Sequence, residues 1–210
     1  MSCALTAADA AAFAACIRAG GVAVFPADTV YGLACDPANQ AAVSRLYTLK
    51  GRPADKPAAV MWFDRDVALE ALPELPPRTR AAVEALTPGG VTLLVPNPRR
   101  RFPLAAGPAG EGGALGLRIP IVPQFQTVPL AVLQSSANHA GRSDAKRLDE
   151  VPEDIRANAD LVLDAGPLPG TPSTVIDLQR FEDAGDWSVV REGALPVAAV
   201  ARALGMVGRR

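Results

Sequence analysis

The chain has 210 residues, 49% of them hydrophobic and 20% charged. That suits one domain with its own buried core and argues against intrinsic disorder for the bulk of the chain. With 21 basic and 22 acidic residues the formal net charge is -1, which argues against a protein that coats nucleic acid by net charge and leaves room for a local basic patch.

In chain order, the first predicted element is a helix over 6–19. Thr6 is its N-cap, Asp9 completes a capping-box variant, and Ala10, Phe13, Ala14 and Ile17 form the apolar stripe. Gly20 and Gly21 stop it. VAVF at 22–25 predicts a short strand ended by Pro26. Asp36 can cap a second helix with Pro37 at its first position, running to about Lys50 and ended by Gly51 and Pro53. Strands are predicted at 58–63, 91–95, 115–119, 130–135, 160–164, 173–178 and 187–191. Helices are predicted at 64–71, 77–86, around 149–157, and at 196–204. The irregular alternation predicts an α/β domain with a mixed sheet. Residues 97–113 read as the one long, mobile loop. Prolines and glycines punctuate element ends throughout, so the pattern marks no domain boundary, and 1–210 reads as one domain.

Cys3, Cys16 and Cys35 are odd in number and form no CxxC, and His139 is the one histidine. A disulfide framework or a Cys/His metal site is not expected, and a reducing compartment is. The Ala-rich start has no basic n-region, and Asp9 and Arg18 interrupt it. No window approaches 18 uncharged apolar residues, so no membrane span is expected and the cytoplasm is the expected location.

No GxxxxGK[ST] loop and no GxGxxG after a strand are present, which excludes the common nucleotide motifs. What remains is polar groups at strand ends. Asp28, Thr29 and Tyr31 follow the strand at 22–25. Lys50, Arg52 and Lys56 in LKGRPADKP are either a solvated charge cluster or, with Gly51, Pro53 and Pro57 fixing the backbone, a shaped anion-binding loop. Arg118 in LGLRIP either alternates to solvent or faces a pocket, where its planar fork suits a carboxylate. Gln134, Ser135, Ser136 and Asn138 form a turn cap or a site. Ser173 and Thr174 open a strand, and Arg191 ends one. Strand ends are where α/β proteins place ligands.

The order of these motifs resembles the YrdC-like threonylcarbamoyl-AMP synthase family. The matching segments are PADTVYGLACD (26–36), KGRPADKP (50–57), TPGGVTLLVP (87–96), LGLRIP (115–120), SSANHAG (135–141), PSTVIDL (172–178) and VVREGAL (189–195). They cover about residues 10–200. Three positions depart from the family pattern: Ala27 for Thr, Gly90 for Pro, and Ala140 for Ser. The chain ends at Arg210, which resembles the short, single-domain form.

The resemblance implies a twisted mixed sheet surrounded by helices, with a concave basic cleft. It implies a nucleotidyltransferase that joins L-threonine, bicarbonate and ATP into threonylcarbamoyl-AMP and pyrophosphate. Mg²⁺ would be carried mainly by the phosphates. The product would pass to a tRNA threonylcarbamoyl-transferase complex, with weak tRNA contact and no membrane partner. On the family pattern, Lys50 and Arg52 are catalytic. Lys50, Arg52, Lys56, Asn138 and Arg191 bind ATP. Thr29, Arg118, Ser136 and Ser173 bind threonine. Two alternatives share this fold: an RNA- or ribosome-binding paralogue with little adenylate-forming activity, and a carbamoyl-adenylate enzyme of hydrogenase maturation, whose acylphosphatase and zinc-finger modules have no counterpart in this sequence.

Overall fold

The computed structural model describes residues 5–53, 55–106 and 113–207. The elements in order are α1 (Ala7–Arg18), β1 (Ala23–Pro26), β2 (Tyr31–Cys35), α2 (Gln40–Lys50), β3 (Ala59–Met61), α3 (Arg65–Ala71), α4 (Pro77–Leu86), β4 (Val91–Pro96), α5 (Pro103–Ala106), β5 (Ala114–Arg118), β6 (Val132–Ser136), α6 (Glu153–Ala157), β7 (Leu161–Val162), β8 (Thr174–Asp177), α7 (Phe181–Ala184), β9 (Ser188–Arg191) and α8 (Val197–Val207). Short 3₁₀ turns lie at Pro123–Phe125 and Leu148–Glu150.

All nine strands join one mixed sheet in the order β7-β1-β2-β6-β3-β5-β4-β8-β9. β7 and β1, β3 and β5, and β4 and β8 pair in parallel; the other neighbours are antiparallel. Side chains alternate between the faces of a strand, so each strand divides its residues between two environments. Val24, Leu33, Cys35, Val60, Leu93, Leu117 and Ile176 enter the larger core, with residues of α2, α3, α4 and α8. Ala23, Phe25, Ala34, Met61 and Val132 enter a second cluster, which α1 covers. There Phe13 meets Phe25, Phe63 and Phe125 at centroid distances of 5.1, 5.6 and 4.9 Å.

α1 forms where the sequence placed it. Thr6 Oγ1 accepts from Asp9 N while Asp9 Oδ2 accepts from Thr6 N, a reciprocal cap. Helices cover both faces of the sheet as expected, α1 on one and α2, α3, α4 and α8 on the other. Three expectations need correction. The segment after β1 folds into β2, so 26–36 is a hairpin rather than a loop leading to a helix. All five residues of β2 are buried, and a strand covered on both faces has no polar alternation to reveal it. α2 starts at Gln40 with Asn39 as its cap, because Asp36 Oδ1 instead accepts from Ala38 N in a local turn. The expected long loop at 97–113 contains α5, and its residues 107–112 lie outside the described residues. Cys3 also lies outside them. Cys16 and Cys35 are free thiols, and burial pushes the Cys35 thiol up to about 12, as befits a core residue. Among the described residues no helix is long and apolar enough to cross a membrane.

Candidate functional site

On the α1 side of the sheet, beyond the phenylalanine cluster, the same strand parity presents polar and small residues. Register aligns them in rows. Arg118 opposes Thr92 across β5 and β4, Thr92 opposes Val175 on β8, and Val175 opposes Arg191 on β9. In the next row Gln134 opposes Ala59 and Ala59 opposes Gly116. A Cβ on Gly116 would lie 3.2 Å from Ala59 Cα, so this part of the floor stays low. These residues line a cavity of about 580 Å³, with Arg52, Ser136, Asp144, Ser173 and Gln179 in its wall.

Two arginines in that wall have unspent hydrogen-bonding capacity. Arg118 is 3% exposed. Its Nη2 donates to Asp28 Oδ1 and, at 2.7 Å, to Thr29 Oγ1, while its Nε is buried without a partner. Burial lowers its pKa and the Asp28 carboxylate opposes that; a guanidinium keeps its proton in either case. Arg52 donates from Nη2 to Pro57 O, and its Nε is likewise buried without a partner. Buried donors left unpaired cost about 1–3 kcal/mol each, so both arginines are held beside the cavity at some cost to the fold.

Gly51 explains how neighbouring cations reach different places. It ends α2 at φ 60°, a left-handed conformation that glycine adopts without a Cβ clash. Lys50, the last helical residue, turns inward and Arg52 reaches the cavity. Lys50 Nζ lies 2.5 Å from Ser136 O, 3.2 Å from Ser136 Oγ, 2.9 Å from Asn138 O and 3.0 Å from Asn138 Oδ1. Burial pulls its pKa down to about 8, with the Arg52 charge adding to the shift and Asp144 opposing it.

Of the residues expected at the site, Arg52, Arg118, Ser136, Ser173 and Arg191 line the cavity together. Ser173 Oγ lies 2.9 Å from Thr92 Oγ1, and Arg191 Nη2 donates to Ser173 O at 2.7 Å. Lys50 and Asn138 do not line it. The sequence reading gave both to the nucleotide, but here they are bonded to each other. The amide of Asn138 also donates to His139 O and Arg142 O, which fixes the 136–142 turn from inside. Thr29 touches Arg118 but faces a second, more apolar cavity, also of about 580 Å³, behind it. Lys56 is exposed and outside the cavity wall.

The sequence offers Asp28 as a polar group after the first strand, without a role, and does not single out Thr92, Asp144 or Gln179. Thr92 shares its strand face with Leu94, which also lines the cavity, so the apolar run TLLV hides the alternation with core residues Leu93 and Val95. Asp144 lies in an irregular stretch that gave no signal. Of the three departures, Ala27 packs in the phenylalanine cluster and Ala140 is exposed. Gly90 is tightly enclosed: a Cβ there would lie 2.8 Å from Ala194 Cβ.

Residues 15–193 match the model of the family described as "Telomere recombination", which groups Sua5, YciO and YrdC. The chain is 34% identical over 164 residues to a threonylcarbamoyl-AMP synthase of Thiobacillus denitrificans, covering 77% of this chain and 87% of that one. It is 27% identical over 198 residues to a threonylcarbamoyl-AMP synthase of Pyrococcus abyssi, covering 91% and 56%. The crystal structure of P. abyssi Sua5 complexed with L-threonine superposes with a TM-score of 0.80 at 26% identity, covering 96% of this chain and 58% of that chain. The chain thus spans under two thirds of the length of the Pyrococcus proteins.

Proposed function

The chain belongs to the Sua5–YciO–YrdC family, and from that premise we propose that it is a threonylcarbamoyl-AMP synthase. The amine of L-threonine combines with bicarbonate to give a carbamate and water. A carbamate oxygen then attacks the α-phosphorus of ATP, and pyrophosphate leaves. Such a transfer relies on positioning and charge neutralisation rather than on a covalent nucleophile, so a cavity without histidine or cysteine in its wall suits it. The product would pass to the tRNA threonylcarbamoyl-transferase complex.

The observation that carries this reading is the gathering of guanidinium groups in one cavity wall, with Arg52 and Arg118 at separate places in it and Arg191 beside Ser173. The two cations suit the two anionic groups of the substrates. Arg52, with Arg191, takes the triphosphate. Arg118 takes the threonine carboxylate through its free edge, while Asp28 and Thr29 hold its other edge still. Ser136 and Ser173 offer hydroxyls between them. Lys50 and Asn138 hold the turn that presents Ser136. Among the described residues no group of three metal-ligating side chains gathers, so Mg²⁺ would enter on the phosphates, whose charge it neutralises.

The test is pyrophosphate release from ATP with each co-substrate withheld in turn. Release should require both L-threonine and bicarbonate, and the product should have the mass of threonylcarbamoyl-AMP. Release that persists without threonine would sink the reading.

A further inference from the structure

Asp144 is the one carboxylate among the described residues that line the cavity; the other charges there are Arg52, Arg118 and Arg191. Each arginine has a partner inside the protein: Pro57 O for Arg52, Asp28 and Thr29 for Arg118, and Ser173 for Arg191. Asp144 has none. It makes no hydrogen bond or ion pair with any described residue, and the nearby buried Lys50 ammonium is held by four oxygens of Ser136 and Asn138 instead. A half-buried carboxylate left free in a wall of guanidiniums weakens phosphate binding by like charge, so a compensating cation is expected on the ligand side.

We propose that Asp144 binds the α-ammonium of the amino-acid substrate and so determines that the substrate must be an amine. This rests on the proposed synthase reading, in which the amino acid brings that one cation. Arg118 and Asp144 then form a two-point clamp: the guanidinium takes the carboxylate and Asp144 takes the nitrogen. With both ends fixed, the amino acid lies in one orientation, and once the ammonium has released a proton to water its lone pair sits at a defined place in the cavity for attack on bicarbonate. A second carboxylate would be needed for a dedicated metal site, and none among the described residues lines the cavity.

The test is calorimetric binding of L-threonine and of 2,3-dihydroxybutanoate, in which a hydroxyl replaces the ammonium. Both are titrated into the full chain, unaltered and as Asp144→Asn and Asp144→Glu, with ATP·Mg²⁺ binding measured in parallel. The unaltered protein should prefer threonine to the dihydroxy acid by ten- to a hundredfold, the range of a charge-assisted hydrogen bond. Asp144→Asn should lose most of that preference by weakening threonine, while the dihydroxy acid and ATP·Mg²⁺ bind no more weakly than before, since a like charge has been removed. Asp144→Glu should restore part of it.

A preference that survives Asp144→Asn overturns the assignment, as does an unaltered protein that binds both acids equally. A loss confined to ATP·Mg²⁺ assigns Asp144 to the metal and also overturns it. If the unaltered protein binds no L-threonine, the synthase reading falls first and this one with it.

Discussion

The half of the sheet face that α1 covers and the half left open over β5, β4, β8 and β9 share one strand parity and little else. In the covered half the residues are Phe25, Ala34, Met61 and Val132, and α1 seals them with Phe13. In the open half the same parity places Thr92, Arg118, Gln134 and Arg191 around a cavity. Behind both halves the opposite parity is mostly apolar, with Thr174 bonded to the Leu195 backbone as a buried exception. Parity therefore fixes which way a side chain faces, and the residue type decides whether that face is buried or left for a ligand. The two halves should respond oppositely to substitution: the covered half in stability, the open half in binding.

The largest effect should come from the covered half. Phe13 is fully buried and touches three other phenylalanine rings. Phe13→Ala leaves a cavity among them, and such truncations cost about 3–5 kcal/mol. Urea unfolding followed by circular dichroism should show that loss, while the fraction still folded binds ATP with unchanged affinity. A stable Phe13→Ala protein with weakened ATP binding would mean that the two halves are not separable.

Arg52→Ala asks the converse question in the open half. Its guanidinium donates to a carbonyl of its own loop, so the fold loses little. The ligand loses a charge-assisted contact of about 1.5–3 kcal/mol. ATP affinity should fall roughly ten- to a hundredfold with the urea midpoint unchanged. Equal losses in both measurements would make Arg52 a structural residue.

The two halves were unequally legible in sequence. α1 could be read to its cap because its signals are local: a capping box, a stripe at helical spacing, and Gly20 after its C-cap. The cavity's cations could be read as types and as members of a family pattern. Their partners could not, because those depend on contacts distant in sequence. Lys50 and Ser136 are 86 positions apart, and Arg118 and Asp28 are 90 apart. Proximity in KGRPADK suggested that Lys50, Arg52 and Lys56 act as one loop. One left-handed residue, Gly51, separates them into a buried strut, a cavity cation and a surface charge. Asp144 shows the reverse case, a site residue whose only signal is spatial.

Lys50 sits at the seam between the two halves, and the smallest expected effect tests it there. Its ammonium has a pKa of about 8 in the fold against 10.5 for the ordinary group. Below pH 8 the side chain is charged in both the folded and the unfolded chain, and the cost of burying that charge is present in full. Between pH 8 and 10.5 the unfolded chain keeps a proton that the folded chain has released. The unfolded state then binds more protons, so stability rises with pH across this window and levels off above it. The shift from 10.5 to about 8 sets an upper bound of about 3 kcal/mol, and the four oxygens around Nζ, which favour the charged form, hold the gain below it. The measurement is the urea midpoint from pH 7 to 11 for the unaltered protein and for Lys50→Met, whose difference removes every other titrating group. The difference should grow between pH 8 and 10.5. Catalysis should move the other way: a neutral amine has two N–H groups where the ammonium had three, so the 136–138 turn is held less firmly and turnover falls as stability rises. A flat difference curve would place the Lys50 proton on the protein throughout, with the strut intact at every pH in the window.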